Sequence, residues 1–164
     1  MPAEGETAAA SPSPSAIALT MGDPAGIGLE ITIRAWCERR DRELPTFALY
    51  ADPAAVRERA SLAGVAIEIV EISTPGDAER HFASQLPVLP IPLAEPCRPG
   101  SPATRNAAAV VEAIDRAASD VFSGKAAALV TNPIAKSVLY GAGFRHPGHT
   151  EYLAHLASRL EGGP

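Results

Sequence analysis

Three times in this chain a polar side chain able to cap a helix is followed at once by proline: Asp52-Pro53, Ser101-Pro102 and Asn132-Pro133. Proline suits the first helical position, where its missing N–H has no intrahelical partner. Asp, Ser or Asn before it can bond the free N–H groups of the first turn. Each pair is therefore predicted to open a helix. Before two of them lie short apolar runs, "TFALYA" (46–51) and "AAALVT" (126–131), which read as strands. Strand, cap and helix in repetition predict right-handed crossovers. The result is α/β: a largely parallel sheet with helices on both faces, in three α/β/α layers.

The rest of the chain fits the same scheme. "IALT" (17–20) reads as the first strand, followed by a Gly-rich loop and a helix through "LEITIRAWCERR" (29–40). A helix over 53–63 closes at Gly64, and "VAIEIVEI" (65–72) alternates at the period of a strand. "LPVLPIPL" (86–93) carries three prolines, which predicts an edge strand or a crossing segment. The longest helix is predicted over 101–124, capped by Ser101 and ended by Gly124. Val110, Ile114, Ala117 and Val121 form one buried row on it, and Val111, Ala118 and Phe122 the next. "AAALVT" should be a fully buried strand, and "IAKSVLYGAG" (134–143) a helix. A last helix is expected from about Glu151, with Leu153, Leu156, Ala157 and Leu160 on its apolar stripe.

Composition narrows the function. With 46% hydrophobic and 20% charged residues the chain is of ordinary globular type, and its 164 residues suffice for one core. A net charge of −5, with no basic aromatic-rich stretch, argues against a nucleic-acid partner. No apolar run approaches membrane-spanning length, so no membrane partner is expected. Residues 1–16, "MPAEGETAAASPSPSA", have neither the basic start nor the apolar run of a secretory signal and read as a disordered tail, leaving 17–164 as the folded part. Cys37 and Cys97 stand apart in no metal-binding pattern; they suit two free thiols in a reducing compartment, or one disulfide, and a cytoplasmic location is expected.

In parallel sheets, ligands bind beyond the carboxyl ends of strands, which selects three loops. "TMGDPAGIG" (20–28) has three glycines but is neither a dinucleotide fingerprint nor a P-loop. It reads either as a tight turn capped by Asp23 or as a pocket edge where Asp23 orients a polar group. "TNPIAK" (131–136) puts Lys136 in the first turn of a helix. A cation there opposes the helix dipole by about 0.3–1 kcal/mol, a conflict that a bound anion would remove. "HPGHTEYLA" (146–154) holds two histidines around a Pro-Gly break, which forbids a continuous helix through both. Thr150 is the expected N-cap, so His149 and Thr150 would stand at free helix N–H groups suited to an anion, with Glu151 turned away. His81 and His155 read as surface residues.

In that order, "LTMGDPAGIGLEI", "LVTNPIAKSVLYGAGF" and "HPGHTEYLA" resemble the 4-hydroxythreonine-4-phosphate dehydrogenase (PdxA) family, in register from Ile17 to Leu160. The Gly-Asp-x-x-Gly-Ile-Gly-x-Glu opening is also similar to that of isocitrate and isopropylmalate dehydrogenases, whose fold the resemblance implies. It further implies an NAD- or NADP-linked oxidation of 4-phosphooxy-L-threonine in vitamin B6 biosynthesis, dependent on a divalent metal (Zn, Mg or Co), by a homodimer. The family's Gly-His-Thr-Glu histidine and threonine contact substrate and correspond to His149 and Thr150. Asp23 and Lys136 are expected near the site. Family members are about twice as long. Their metal-ligating histidines and most cofactor contacts correspond to nothing here, so no metal or nicotinamide ligand is assigned and this chain alone is expected to be inactive. Two other readings remain: a dehydrogenase of erythronate or threonate 4-phosphate, and a truncated, non-catalytic domain that binds a phosphorylated ligand.

Overall fold

The computed structural model describes residues 16–160. Five strands form one parallel sheet: β1 (Ile17–Thr20), β2 (Phe47–Ala51), β3 (Ile69–Glu71), β4 (Leu86–Pro90) and β5 (Ala128–Thr131). Across the sheet they run β3-β4-β2-β1-β5. The helices are α1 (Gly28–Cys37), α2 (Pro53–Leu62), α3 (Ala78–His81), α4 (Ala107–Phe122), α5 (Lys136–Gly141) and α6 (His149–Leu160). The α/β fold with a parallel sheet matches the expectation. Of the stretch read as a tail, residues 1–15 lie outside the described residues, whereas Ala16 is a core residue whose carbonyl accepts a hydrogen bond from the Ala127 N–H.

Register sorts the side chains onto two faces. Ile17 pairs with Ala128, Ala18 with Leu129 and Leu19 with Val130, so Ala18 and Leu129 share one face. That face carries α4 and α6: Ile114, Ala118, Tyr152 and Leu156 pack together with Leu129 against them. Ile17, Leu19 and Val130 look out on the other face, beside Ile31 and Ala35 of α1. A hydrogen bond from the Tyr50 hydroxyl to Asp120 Oδ2 (2.8 Å) ties β2 to α4 within the core.

Of the three cap-and-proline pairs, only Asp52-Pro53 works as predicted. Asp52 Oδ1 accepts from the N–H groups of Ala54 and Ala55, with Pro53 at the first helical position. Ser101 does not cap. It sits in an isolated antiparallel bridge with Arg98, and α4 starts six residues later, after a 3₁₀ turn over Thr104–Asn106. Asn132 does not cap α5 either, for its side chain is committed to the core.

Two strand expectations are corrected. β4 is an interior strand between β3 and β2, despite its prolines. Leu86 donates its N–H to Glu68 on the β3 side and Ile91 donates to Ala51 on the β2 side. By alternation Pro87 faces β2 and Pro90 faces β3. The β2 pairing begins only at Val88 and the β3 pairing ends at Val88, so neither proline nitrogen falls where a donor is needed. β5, expected to be fully buried, is the outermost strand among the described residues, with Val130 46% exposed. Smaller differences follow from packing. β3 shrinks to three residues, Phe122 and Leu160 are exposed, and Tyr152 rather than Leu153 anchors α6. The short helix α3, which carries His81, was hidden in a loop rich in Pro, Gly and Asp.

Candidate functional site

β1 and β5 are neighbours, and the chain leaves them toward opposite faces of the sheet: after β1 it enters α1, beside Ile17, Leu19 and Val130, and after β5 it reaches α6, which packs with α4 over Leu129. The loops after Thr20 and Thr131 lie side by side beyond the carboxyl ends of their strands, where open parallel sheets bind ligands.

Backbone contact welds the two loops together. The Asp23 N–H donates to the Pro133 carbonyl at 2.9 Å. A Cβ on Gly22, whose φ is +70°, would lie 2.4 Å from that same carbonyl oxygen, and one on Gly28 would lie 2.4 Å from the Met21 oxygen. Only glycine allows this approach. Asn132, which is buried, donates from Nδ2 to the Thr20 carbonyl (2.9 Å) and to Thr32 Oγ1 (2.9 Å), so one amide bridges β1, α1 and the second loop.

The first loop is held from behind by a residue that the sequence did not single out. Arg59 on α2 is only 3% exposed. Its Nη1 donates to the Gly26 carbonyl (2.7 Å) and Glu30 Oε1 (2.6 Å), and its Nη2 to the Pro24 carbonyl (2.8 Å). The Cys97 thiol lies 3.5 Å from the Pro24 carbonyl, and burial pushes its pKa up. Both cysteines are free thiols. No spacing signal marks Arg59; a charged residue amid the alanines of a helix reads as solvated until the helix is docked.

Asp23 is not a helix cap. Its Oδ1 accepts from the Ala25 N–H (2.8 Å) two residues on, closing a local turn, while α1 starts at Gly28 behind Ile27. Asp23 is buried and lines a cavity of about 330 Å³ with Gly26, Gly100, Pro102, Pro133 and Ala135. The first and second loops thus share one concavity, within the range of small-ligand sites.

The third loop reaches the second through Lys136. A Cβ on Gly148 would lie 3.6 Å from Lys136 Nζ and 3.2 Å from Glu151 Oε2. The ammonium therefore stands at the entrance to α6. Glu151, expected to turn away, instead folds back toward the same entrance. Thr150 is not the N-cap, because α6 already includes His149; it is an exposed residue of the first turn. The side chain of His149 lies outside the described residues. His146 belongs to a ring cluster, 5.3 Å from Phe144, 4.9 Å from Tyr152 and 5.0 Å from His155 between centroids. The Pro-Gly break thus separates a packing histidine from one that starts a helix.

Among the described residues, no group of three or more His, Cys, Asp or Glu side chains is placed to hold a metal ion. Nor is any described helix long and apolar enough to cross a membrane.

Comparison with known proteins gives the family. Residues 43–161 match the family described as pyridoxal phosphate biosynthetic protein PdxA. The chain is 46% identical over 147 residues to a 4-hydroxythreonine-4-phosphate dehydrogenase of Xanthobacter autotrophicus, covering 90% of this chain and 42% of that protein. It is 49% identical over 145 residues to one of Methylorubrum populi, covering 87% and 41%. Among solved structures, the 4-hydroxythreonine-4-phosphate dehydrogenase of Klebsiella pneumoniae superposes with a TM-score of 0.76 at 33% identity, over 87% of this chain and 44% of that one. The chain spans less than half the length of the curated relatives it matches.

Proposed function

The chain belongs to the PdxA family, and on that premise we propose that it supplies part of the active site of a 4-hydroxythreonine-4-phosphate dehydrogenase. The reaction would oxidise the secondary alcohol of 4-phosphooxy-L-threonine by hydride transfer to NAD or NADP. The product, 2-amino-3-oxo-4-phosphooxybutanoate, loses CO₂ to give 3-amino-2-oxopropyl phosphate, on the route to pyridoxal phosphate in the cytoplasm. The observation that carries this reading is the convergence of the first two loops on one cavity beyond the carboxyl ends of β1 and β5, with Lys136 beside the start of α6.

In this reading the chain's own residues bind and orient. Lys136 offers a positive charge to the phosphate or carboxylate of the substrate. His149 and Thr150 contact the substrate from the first turn of α6, where free N–H groups favour an anion. Glu151 faces the same entrance and selects against a ligand that brings negative charge too close to Gly148. Asp23 stands in the cavity wall as an acceptor for a hydroxyl or ammonium group. The described residues do not fit a divalent ion by themselves, since no set of donors converges. We assign the donors for the metal, and most contacts to the nicotinamide cofactor, to the portion that relatives carry beyond this match, within a homodimer.

The test is nicotinamide reduction with 4-phosphooxy-L-threonine, NAD or NADP and a divalent metal. It is run on this chain alone and on this chain joined to the remainder of the Xanthobacter relative. Turnover by the joined protein and none by the chain alone is expected. A folded joined protein that turns over only erythronate or threonate 4-phosphate would overturn the substrate assignment. Turnover by the chain alone, abolished by a chelator, would overturn the division of the site.

A further inference from the structure

We propose that Tyr140 is a positioning residue for the substrate site at the start of α6. By holding the Pro147 carbonyl it fixes the Pro147–Gly148 peptide against α5, and with it the place of that peptide relative to the Lys136 ammonium. This deepens the reading of Lys136, His149 and Thr150 as substrate contacts and rests on it. The residues involved, 136–152, all lie inside the portion matched to the family, 43–161.

Lys136 and Tyr140 are four apart on α5, so their side chains lie on one face of that helix. That face meets two successive residues of the loop that follows. The Tyr140 hydroxyl donates to the Pro147 carbonyl at 3.1 Å. The Lys136 Nζ and Cε lie 3.6 and 3.8 Å from the place of a Gly148 Cβ. Gly148 is buried, and its carbonyl accepts from the Tyr152 N–H at 3.1 Å, an opening bond of the α6 ladder. One helical face thus grips the peptide that leads into α6 and sets a positive charge beside it.

The geometry of that peptide gives the hydroxyl its leverage. In a trans peptide the C=O and N–H point in opposite directions, so an oxygen held on one side fixes where the N–H points. The ring of Pro147 restricts its own φ, which leaves its ψ as the freedom that turns this peptide. Tyr140 removes that freedom. Earlier in the loop, Gly143 and Phe144 donate to the carbonyls of Tyr140 and Leu139 to close α5, and the His146 ring packs 4.9 Å from that of Tyr152.

Stability is not what this bond serves. Tyr140 is 47% exposed, and water competes for both partners of an exposed hydrogen bond, so its net contribution to folding is small. What it sets is position. A ligand anion is drawn to Lys136 with an energy that falls with distance. Glu151 Oε2 lies 3.2 Å from the same Gly148 point, so a loop that drifts offers the ammonium a carboxylate of its own chain instead of the ligand. The phenol keeps the peptide, the ammonium and the helix start in one arrangement before the ligand arrives.

The experiment is steady-state kinetics on this chain joined to the remainder of the Xanthobacter relative, with inorganic phosphate as a competing anion. Tyr140→Phe keeps the ring and removes only the donor. It is expected to raise the KM for 4-phosphooxy-L-threonine about three-fold, the size of one weak hydrogen bond, and the phosphate inhibition constant by the same factor. The kcat, the KM for the nicotinamide and the urea midpoint should stay as they are. In a Lys136→Ala background the same change should do nothing further, because Tyr140 acts through the lysine. Effects that multiply overturn the proposal, as does a lower urea midpoint or a fall in kcat with KM unchanged. A Tyr140→Phe protein with the parental KM overturns it too. If Lys136→Ala still raises KM, the substrate site stands and only Tyr140 leaves it; if neither variant moves KM, the reading of the site fails and the proposal with it. Amide exchange at Tyr152, whose N–H bonds the Gly148 carbonyl, needs no turnover. Tyr140→Phe should speed it about three-fold, and an unchanged rate overturns the hold on the peptide.

Discussion

Asn132 Nδ2 donates to the Thr20 carbonyl at 2.9 Å, joining the ends of two neighbouring strands across 112 positions of sequence. The same amide reaches Thr32 on α1. Removing it leaves a buried carbonyl and a buried hydroxyl each short of a partner. Asn132→Ala is expected to cost about 1–3 kcal/mol, read as a lower midpoint in urea denaturation at unchanged slope. Asn132→Asp should cost at least as much, because an ionised carboxylate cannot donate to Thr20. An Asp variant as stable as the parent would show that the amide does not hold the loops together.

Arg59 gives a second prediction. Its guanidinium bonds two carbonyls of the first loop and Glu30. Arg59→Ala strands those carbonyls in the interior and should cost about 3 kcal/mol, at the low end for a broken buried pair because Glu30 keeps 39% of its side-chain surface in water. Arg59→Lys should recover only part of this, since a single ammonium cannot fork to Gly26 and Pro24 together. Chemical denaturation of both variants checks the order.

Crowding at the first loop is equally specific. Gly28→Ala would place a methyl group 2.4 Å from the Met21 carbonyl oxygen. The start of α1 must then shift, at a cost of about 1–3 kcal/mol. Gly76, also outside the left-handed region, has only a distant hydroxyl near its missing Cβ, at 3.9 Å. Gly76→Ala is expected to change stability by no more than about 0.5 kcal/mol, and thermal melts of the two proteins side by side separate crowding from the loss of a glycine.

Stability should fall in alkali. Burial first, and then the hydrogen bond to Asp120, raises the Tyr50 pKa; burial and Asp115 do the same for Tyr152. Both phenols stay protonated in the folded chain at a pH where the unfolded chain, with its ordinary value of 10.0, releases them. The stabilisation is therefore complete below pH 10 and is lost as pH rises above it, by up to about 1.4 kcal/mol per pH unit for each tyrosine. Denaturation at pH 9 and pH 11 should show the loss, and Tyr50→Phe should flatten the slope. An unchanged slope in that variant would remove Tyr50 from the account.

For the proposed reaction, Lys136→Ala in the joined protein should raise the KM for 4-phosphooxy-L-threonine about ten-fold with a smaller change in kcat, as loss of one ground-state charge contact requires. His149→Ala should lower kcat/KM as well. Unchanged kinetics in either variant would take that residue out of the substrate site.

What the sequence made legible was local. The strand "IALT", the Asp52 cap and the stop at Gly64 each rest on a few adjacent residues, and the structure has them as read. What it hid was non-local. Nothing in "TNP" says that Asn132 prefers a carbonyl 112 positions away to the helix beside it. Likewise Asn106 spends its side chain on the backbone of Glu95, not on capping α4. The first two loops do follow strands, β1 and β5, whereas the third lies between α5 and α6 and passes into helix at His149. That the first two share a cavity while the third meets them only through Lys136 depended on strand order, which the pattern of apolar runs does not contain.

The two prolines of β4 have one more consequence. Sliding β4 two residues in one direction along β2 would carry Pro87 into the place of Leu89, where an N–H is required. Sliding it the other way along β3 would carry Pro90 into the place of Val88. A shift of a single residue turns the buried side chains to the wrong face. An apolar strand of small and branched residues, which could otherwise pair in several alignments, is thus left with one: each proline is a stop against a slip that the other permits.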